Sequence, residues 1–284
     1  MLLAAYYVDT FSPTLYDFGH GIAIRYYGLA YLLGFLACYF GLRWQVKRGW
    51  CPLTLPQVDD LTFLYVVPGV LVGGRLGYCL LYAWPETVRS PWSILTVWHG
   101  GMASHGGMVG VIVAMLLFSR RHRIPFYTAA DAAAICTPIG LGLGRIANFI
   151  NGELWGRPTD VPWAVIFPQA PPIGGVMAPR HPSQLYEAAL EGLVLFLILI
   201  WVRVRTLHPR RDGAVALAFL SIYAMFRIIV ECFREPDLQI GYLFGIHEYG
   251  FLTQGQFLSF LLIGLAWVLA FLQRPQWKKA RVGA

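Results

Sequence analysis

The chain has 284 residues and a formal charge of +7; its composition is 57% hydrophobic, 15% aromatic and only 13% charged, with a mean hydropathy of +0.56. Soluble domains carry about 25% charged residues, so this chain cannot cover a water-facing surface, and intrinsic disorder is excluded for the same reason. The composition predicts a polytopic, all-α integral membrane protein, residues 1–284 forming one membrane domain.

The first 23 residues are aromatic, are broken by Pro13 and contain no Lys or Arg before Arg25. That lacks the basic n-region of a cleavable signal peptide and reads as an interfacial segment. Seven apolar stretches follow, each near the ~20 residues that cross ~30 Å of hydrocarbon: Ile24–Leu42, Val58–Tyr82, Gly106–Phe118, Tyr127–Ala147, Leu185–Val204, Ala214–Phe233 and Gln256–Leu272. The third is short. Residues 148–184, rich in Pro and Gly, predict a structured cap between the fourth and fifth spans.

Charge sets the expected orientation. Arg43, Lys47, Arg48, Arg120, Arg121, Arg123, Arg203, Arg205, Arg210, Arg211, Arg274, Lys278, Lys279 and Arg281 account for fourteen of the 22 Lys and Arg and follow the odd-numbered spans. Their side is the cytoplasmic one, which places the N-terminus and the cap outside (periplasmic) and the C-terminus inside. The charge therefore follows membrane topology and does not point to nucleic acid. Every other basic residue is arginine, the better partner for a carboxylate or phosphate in a desolvated site. The five cysteines (Cys38, Cys51, Cys79, Cys136, Cys232) form no CxxC pair and read as small buried hydrophobes. His99 and His105 lack zinc-site spacing, so neither metal nor cofactor is expected.

Ionisable groups inside spans mark a site or a pair. Tyr223, Arg227 and Glu231 recur every four residues in the sixth span, with Arg234 three further on, forming one helical stripe. The structural alternative is a plain Arg227–Glu231 ion pair. The fourth span ends in Gly140-Leu-Gly142-Leu-Gly144-Arg145-Ile-Ala-Asn148, where the glycines allow close backbone approach and Arg145 and Asn148 share a face. His99-Gly-Gly-Met is repeated at His105-Gly-Gly-Met. The expected topology puts Tyr27, Arg75, His105, Arg145 and Arg227 in the outer half of the membrane, where a phospholipid headgroup is the available anion.

At these residues the chain resembles the prolipoprotein diacylglyceryl transferase family of the bacterial inner membrane. The resemblance is carried by Gly144-Arg-Ile-Ala-Asn-Phe-Ile-Asn-Gly-Glu-Leu-Trp-Gly156, Tyr27-Gly28, Gly73-Gly-Arg-Leu-Gly-Tyr78, His105-Gly-Gly107, Arg180-His-Pro-Ser-Gln-Leu-Tyr-Glu187 and Phe226-Arg-Ile-Ile-Val-Glu231. Ser104, Arg25, Gln254 and His99 depart from residues usual there. The resemblance implies transfer of the diacylglyceryl group of phosphatidylglycerol to the lipobox cysteine of a preprolipoprotein, releasing glycerol 1-phosphate. A thiol of pKa ~8.5 then needs a base or a positive field, and the departing phosphate needs donors that meet its growing charge. Arg145 and Arg227 are the expected clamp and His105 the expected base. Glu231 would orient Arg227; Asn148, Glu153 and Gly156 would shape the headgroup pocket; Tyr27 and Tyr223 would hydrogen-bond phosphate or glycerol; Arg75 and Arg234 complete the basic lining. A lipid or anion transporter is the rival class, but internal repeats are lacking. A purely structural scaffold leaves the intramembrane arginines unexplained.

Overall fold

The computed structural model describes residues 6–19, 23–96, 100–207, 211–235, 242–244 and 252–282. Six helices among them are long and apolar enough to cross a membrane: Tyr26–Lys47, Leu55–Leu81, Phe126–Ile150, Ser183–Thr206, Ala214–Glu231 and Gln254–Trp277. These correspond to all the expected spans but the third. That stretch is a 19-residue helix, Ser104–His122, and falls outside the six. Its first turn carries Ser104, His105 and two glycines and its last turn Arg120, Arg121 and His122, which confines the apolar run to Met108–Phe118. The helices are numbered α1 (Tyr26–Lys47), α2 (Leu55–Asp59), α3 (Val67–Leu81), α4 (Trp84–Arg89), α5 (Ser104–His122), α6 (Phe126–Ile150), α7 (Ser183–Glu187), α8 (Leu195–Thr206), α9 (Ala214–Glu231) and α10 (Gln254–Val282). Wide π turns, Asp60–Val66 and Ala188–Val194, join α2 to α3 and α7 to α8.

Helix is not the whole content. Strand β1 (Tyr7–Val8) pairs in parallel with β4 (Val165–Ile166), β2 (Thr14–Asp17) is antiparallel to β3 (Ala23–Arg25), and β5 (Tyr242–Phe244) is antiparallel to β6 (Leu252–Thr253). The N-terminal segment is thus tied into the insertion after α6 by backbone pairing. Phe11, Leu15, Tyr16 and Phe18 are exposed on it.

The chain divides into two compact units, Tyr39–Ala133 and the rest. Within the Tyr39–Ala133 unit, α3 and α5 meet through glycine. A Cβ on Gly77 would lie 2.7 Å from the Cα of Gly106, one on Gly69 would lie 2.8 Å from the carbonyl oxygen of Gly110, and one on Gly110 would overlap that of Gly69. Glycines spaced by four keep one helix face free of side chains, so the backbones touch directly. The start of α2 is fixed by a capping box: the Gln57 amide N–H donates to Thr54 Oγ1 and the Thr54 N–H to Gln57 Oε1.

In the larger unit, Ala134, Ile135, Leu195, Leu199, Val215 and Phe226 form the buried core of α6, α8 and α9. The glycine seam at the end of α6 is used on two sides, as alternate positions of a helix face nearly opposite ways. Gly140 abuts Gly34 of α1, whereas Gly142 abuts Gly192 in the second π turn. Residues 151–182 have their own small core of Val165, Phe167 and Ala170 against Phe149 and Trp155.

Replacing Gly110 with Val should push α3 off α5, lowering the melting temperature of the detergent-solubilised protein by several degrees. Gly264→Ala, where an added Cβ meets nothing within 4 Å, should leave it unchanged or raised.

Candidate active site

Glu187, the last residue of α7, is 1% exposed and is gripped from both sides. Its Oε2 pairs with Arg145 Nε of α6 at 2.6 Å, and its Oε1 with Arg227 Nη1 of α9 at 2.5 Å; Arg234 Nη1 stands 3.7 Å from Oε1. The second terminal nitrogen of Arg227 pairs with Glu231 one turn on, at 2.8 Å. Glu191, fully buried four residues after Glu187, lies 3.8 Å from Arg145 Nη2. Three guanidiniums and three carboxylates thus form one buried network. The expected Arg227–Glu231 pair is present as one edge of it.

The helix termini bring the rest into range. Glu231 faces the beginning of α10, where a Cβ on Gly255 would come within 2.9 Å of its carboxylate. That start is held by a second capping box between Thr253 and Gln256, and the positive end of the helix dipole faces the Glu231 charge. At the end of α6, Arg145 Nη1 reaches Asn148 Oδ1 at 3.5 Å, and Asn148 Nδ2 donates to Glu153 Oε1 at 2.8 Å. The chain turns between them at Gly152 and again just past Glu153 at Leu154, both with positive φ. Asn151 also donates to the Glu153 carboxylate, and Gln184 Nε2 to its carbonyl. Tyr27 is within electrostatic reach of Glu153 and Arg145, and Tyr223 of Arg227, Arg145 and both α7–π-turn glutamates.

Gly156 is placed by backbone contacts. Its N–H donates to the His181 carbonyl at 2.9 Å, and a Cβ would sit 2.6 Å from the carbonyl oxygens of both His181 and Phe233. It is the crossing point of three backbone segments. Beside it, buried Arg180 pairs with Glu235 and donates to the Gly156 carbonyl, and Trp155 Nε1 donates to Glu235 at 3.1 Å. Arg157 binds the carbonyls of Phe233 and Arg234. The insertion after α6 thereby clasps the end of α9, which fixes Arg234. His181 is part of this clasp, its Nδ1 3.1 Å from the Tyr186 hydroxyl, and burial lowers its pKa.

Sequence reasoning missed Glu187, Glu191, Arg180 and Glu235. The available signal was two carboxylates four residues apart in an apolar span, where an unpaired charge is costly.

His105 and Arg75 belong to the Tyr39–Ala133 unit. His105 is exposed in the first turn of α5; His99 lies outside the described residues. Arg75 is buried, and its guanidinium binds five acceptors: the carbonyls of Ser93, Ile94 (3.1 Å), Gly100 (2.5 Å) and Gly101 (3.1 Å), and Thr96 Oγ1 (3.2 Å). It organises the segment that leads into α5.

The family model described as prolipoprotein diacylglyceryl transferase matches residues 13–272. A phosphatidylglycerol–prolipoprotein diacylglyceryl transferase of Mannheimia succiniciproducens is 49% identical over 93% of this chain and 94% of its own length. One from Pasteurella multocida is 49% identical over 93% of each chain, and one from Rhodospirillum centenum 50% over 87% of each.

The contacts of Arg75 make a separate prediction. Lysine offers three donors in place of five, so Arg75→Lys should speed hydrogen exchange in residues 93–96 and 100–101 at least tenfold. Exchange unchanged there would show that the guanidinium does not hold the segment.

Proposed function

Since the chain belongs to the prolipoprotein diacylglyceryl transferase family, we propose that Arg145 and Arg227 hold the departing phosphate and that His105 takes the thiol proton. The reaction is transfer of the diacylglyceryl group of phosphatidylglycerol to a prolipoprotein, the first step of lipoprotein maturation. The acceptor is the lipobox cysteine. Its sulfur attacks the glyceryl carbon next to the phosphate, the carbon–oxygen bond breaks, and glycerol 1-phosphate leaves with the electron pair. The thiol proton passes to His105 and from there to water or the released phosphate. Neither metal nor cofactor has a step to perform.

The observation that carries this reading is the state of the Arg145 guanidinium. Its Nε is committed to Glu187, but its terminal nitrogens make contacts of only 3.5 and 3.8 Å. Those donors are preorganised yet weakly engaged, which suits a phosphate whose charge grows during bond breaking. Asn148, held by Glu153, extends the polar edge towards glycerol, and Tyr27 and Tyr223, both within electrostatic reach of Arg145, hydrogen-bond phosphate or glycerol. Glu231 orients Arg227, Arg234 supplies a further positive charge, and Gly156 and Arg75 act by holding backbone. The exposed place of His105 in the first turn of α5 leaves its ring open to a thiol.

In this reading seven helices span the bacterial inner membrane, α5 among them. The N-terminus and the cap, residues 148–184, are periplasmic, the C-terminus is cytoplasmic, and the site lies in the outer half of the bilayer. The excess of Lys and Arg after the odd-numbered spans supports this orientation. A reporter fused after Ala284 should read as cytoplasmic, and a label at Arg157 as periplasmic; the reverse at either position overturns it.

The chemistry is tested by mixing purified protein with phosphatidylglycerol and a lipobox peptide and weighing the peptide. Arg145→Lys and Arg227→Lys keep the charge but lose the planar fork, so each should lower kcat/KM at least 100-fold with the fold intact. His105→Gln should abolish transfer while lipid still binds, and His99→Gln should keep most activity. Near-wild-type turnover by both Lys variants refutes the clamp. Inactivity of His99→Gln instead of His105→Gln moves the base.

A further inference from the structure

We propose that Glu187 is a positioning residue for the transfer: its carboxylate is the common anion that sets the spacing of Arg145 and Arg227. This rests on the clamp reading above and deepens it. The two guanidiniums come from different helices, α6 and α9, and as like charges in a low-dielectric interior they repel. Glu187, from a third helix, places one oxygen on each, at 2.6 Å to Arg145 Nε and 2.5 Å to Arg227 Nη1. At 1% exposure its charge has no water to lean on, so its solvation comes from these arginines, with Arg234 behind at 3.7 Å.

No other carboxylate among the described residues pairs with both. Glu231 touches Arg227 from the opposite side, through Nη2 at 2.8 Å, and is held against Gly255. Glu191 comes within ion-pair distance of Arg145, at 3.8 Å, and interacts with Arg227 only at longer range. The π turn that follows Glu187, from Ala188 to Val194, is the kind of local widening that recurs at functional sites. Here Gly192 within it lets Gly142 of α6 come close, which brings Arg145 to the Glu187 carboxylate.

A two-sided bridge has a distinctive chemical signature. Glutamine keeps the shape but offers one acceptor oxygen and one NH2 group, so it can hold one guanidinium while its own donors face the other. Aspartate keeps the charge but is one methylene shorter and cannot reach both. A bridge therefore fails with either substitution. Simple charge balance would be rescued by Asp, and simple packing by Gln.

The experiment is steady-state transfer from phosphatidylglycerol vesicles to a lipobox peptide by wild type, Glu187→Gln, Glu187→Asp, Arg145→Lys and the double variant Arg145→Lys/Glu187→Gln, with melting temperatures measured alongside. Misplacement of about 1 Å costs on the order of 100-fold in rate. Both Glu187 variants should thus lose about 100-fold in kcat, with KM for phosphatidylglycerol unchanged or lower because both cations remain. The double variant should be no slower than Arg145→Lys alone, as residues acting through one contact are non-additive. Near-wild-type kcat in either Glu187 variant overturns the bridge, as does a loss confined to KM or full additivity in the double variant. Should Glu187→Gln not be recovered folded, Glu187→Asp, which keeps the charge, decides alone. Failure of the clamp itself is seen separately, as activity retained by Arg145→Lys.

Discussion

A carboxylate shared between arginines of different helices constrains this structure more tightly than any apolar contact. Removing ions from water costs several kcal/mol each even after relaxation, and breaking a buried pair costs about 3–5 kcal/mol. Arg145, Arg227, Arg234, Glu187, Glu191 and Glu231 are all largely buried, so none of their helices can dock alone without stranding a charge. The end of α6, the α7–α8 span and the end of α9 must assemble together. Small residues at the contacts make that possible: Gly142 against Gly192 and Gly255 against Glu231 remove the side chains that would hold the charges apart.

The insertion after α6 serves the same constraint from outside the helices. A helix end is prone to fray, and Arg234 lies just beyond the end of α9. Backbone pairing of Gly156 and Arg157 with His181, Phe233 and Arg234 closes it, and the Arg180–Glu235–Trp155 contacts lock the pairing. Arg145, at the end of α6, and Arg227 and Glu231, at the end of α9, therefore sit in helix ends that the insertion and its contacts hold in place.

Much of this was legible in the sequence, for definite reasons. Span positions follow from hydropathy, a one-dimensional property, and six of seven appear as helices meeting the length and hydropathy requirements. The seventh, α5, falls short because His105 and its glycines occupy the turn where apolar residues would stand. Arg227 and Glu231 were read as partners because they are one turn apart on a single helix. Glu187 was not, because its partners lie 42 residues before it and 40 after it in sequence, and pairing between helices leaves no periodic mark. Arg75 shows the converse: contacts within the chain that the sequence does not announce. A lone arginine in a span reads as a ligand group, yet its five acceptors are contributed by a loop about 20 residues on. Gly156 lies at a backbone crossing, which no composition rule announces.

On the clamp proposed above, the balance of three arginines by three glutamates also bears on turnover. An uncompensated cluster of three cations would bind a lipid phosphate tightly, and would bind the released phosphomonoester, with its higher charge, more tightly still. Uniform tight binding does not accelerate chemistry and would slow product release. Committing the Arg145 Nε and both Arg227 terminal nitrogens to carboxylates lowers the net field on the ground-state lipid. The donors left over, chiefly the terminal nitrogens of Arg145, stay fixed in direction by the same carboxylates. Their interaction strengthens only as charge accumulates on the leaving oxygen, and no reorganisation is needed when it does. The glutamates are thus part of the reaction's energetics: they keep the arginines from being better ligands than catalysts.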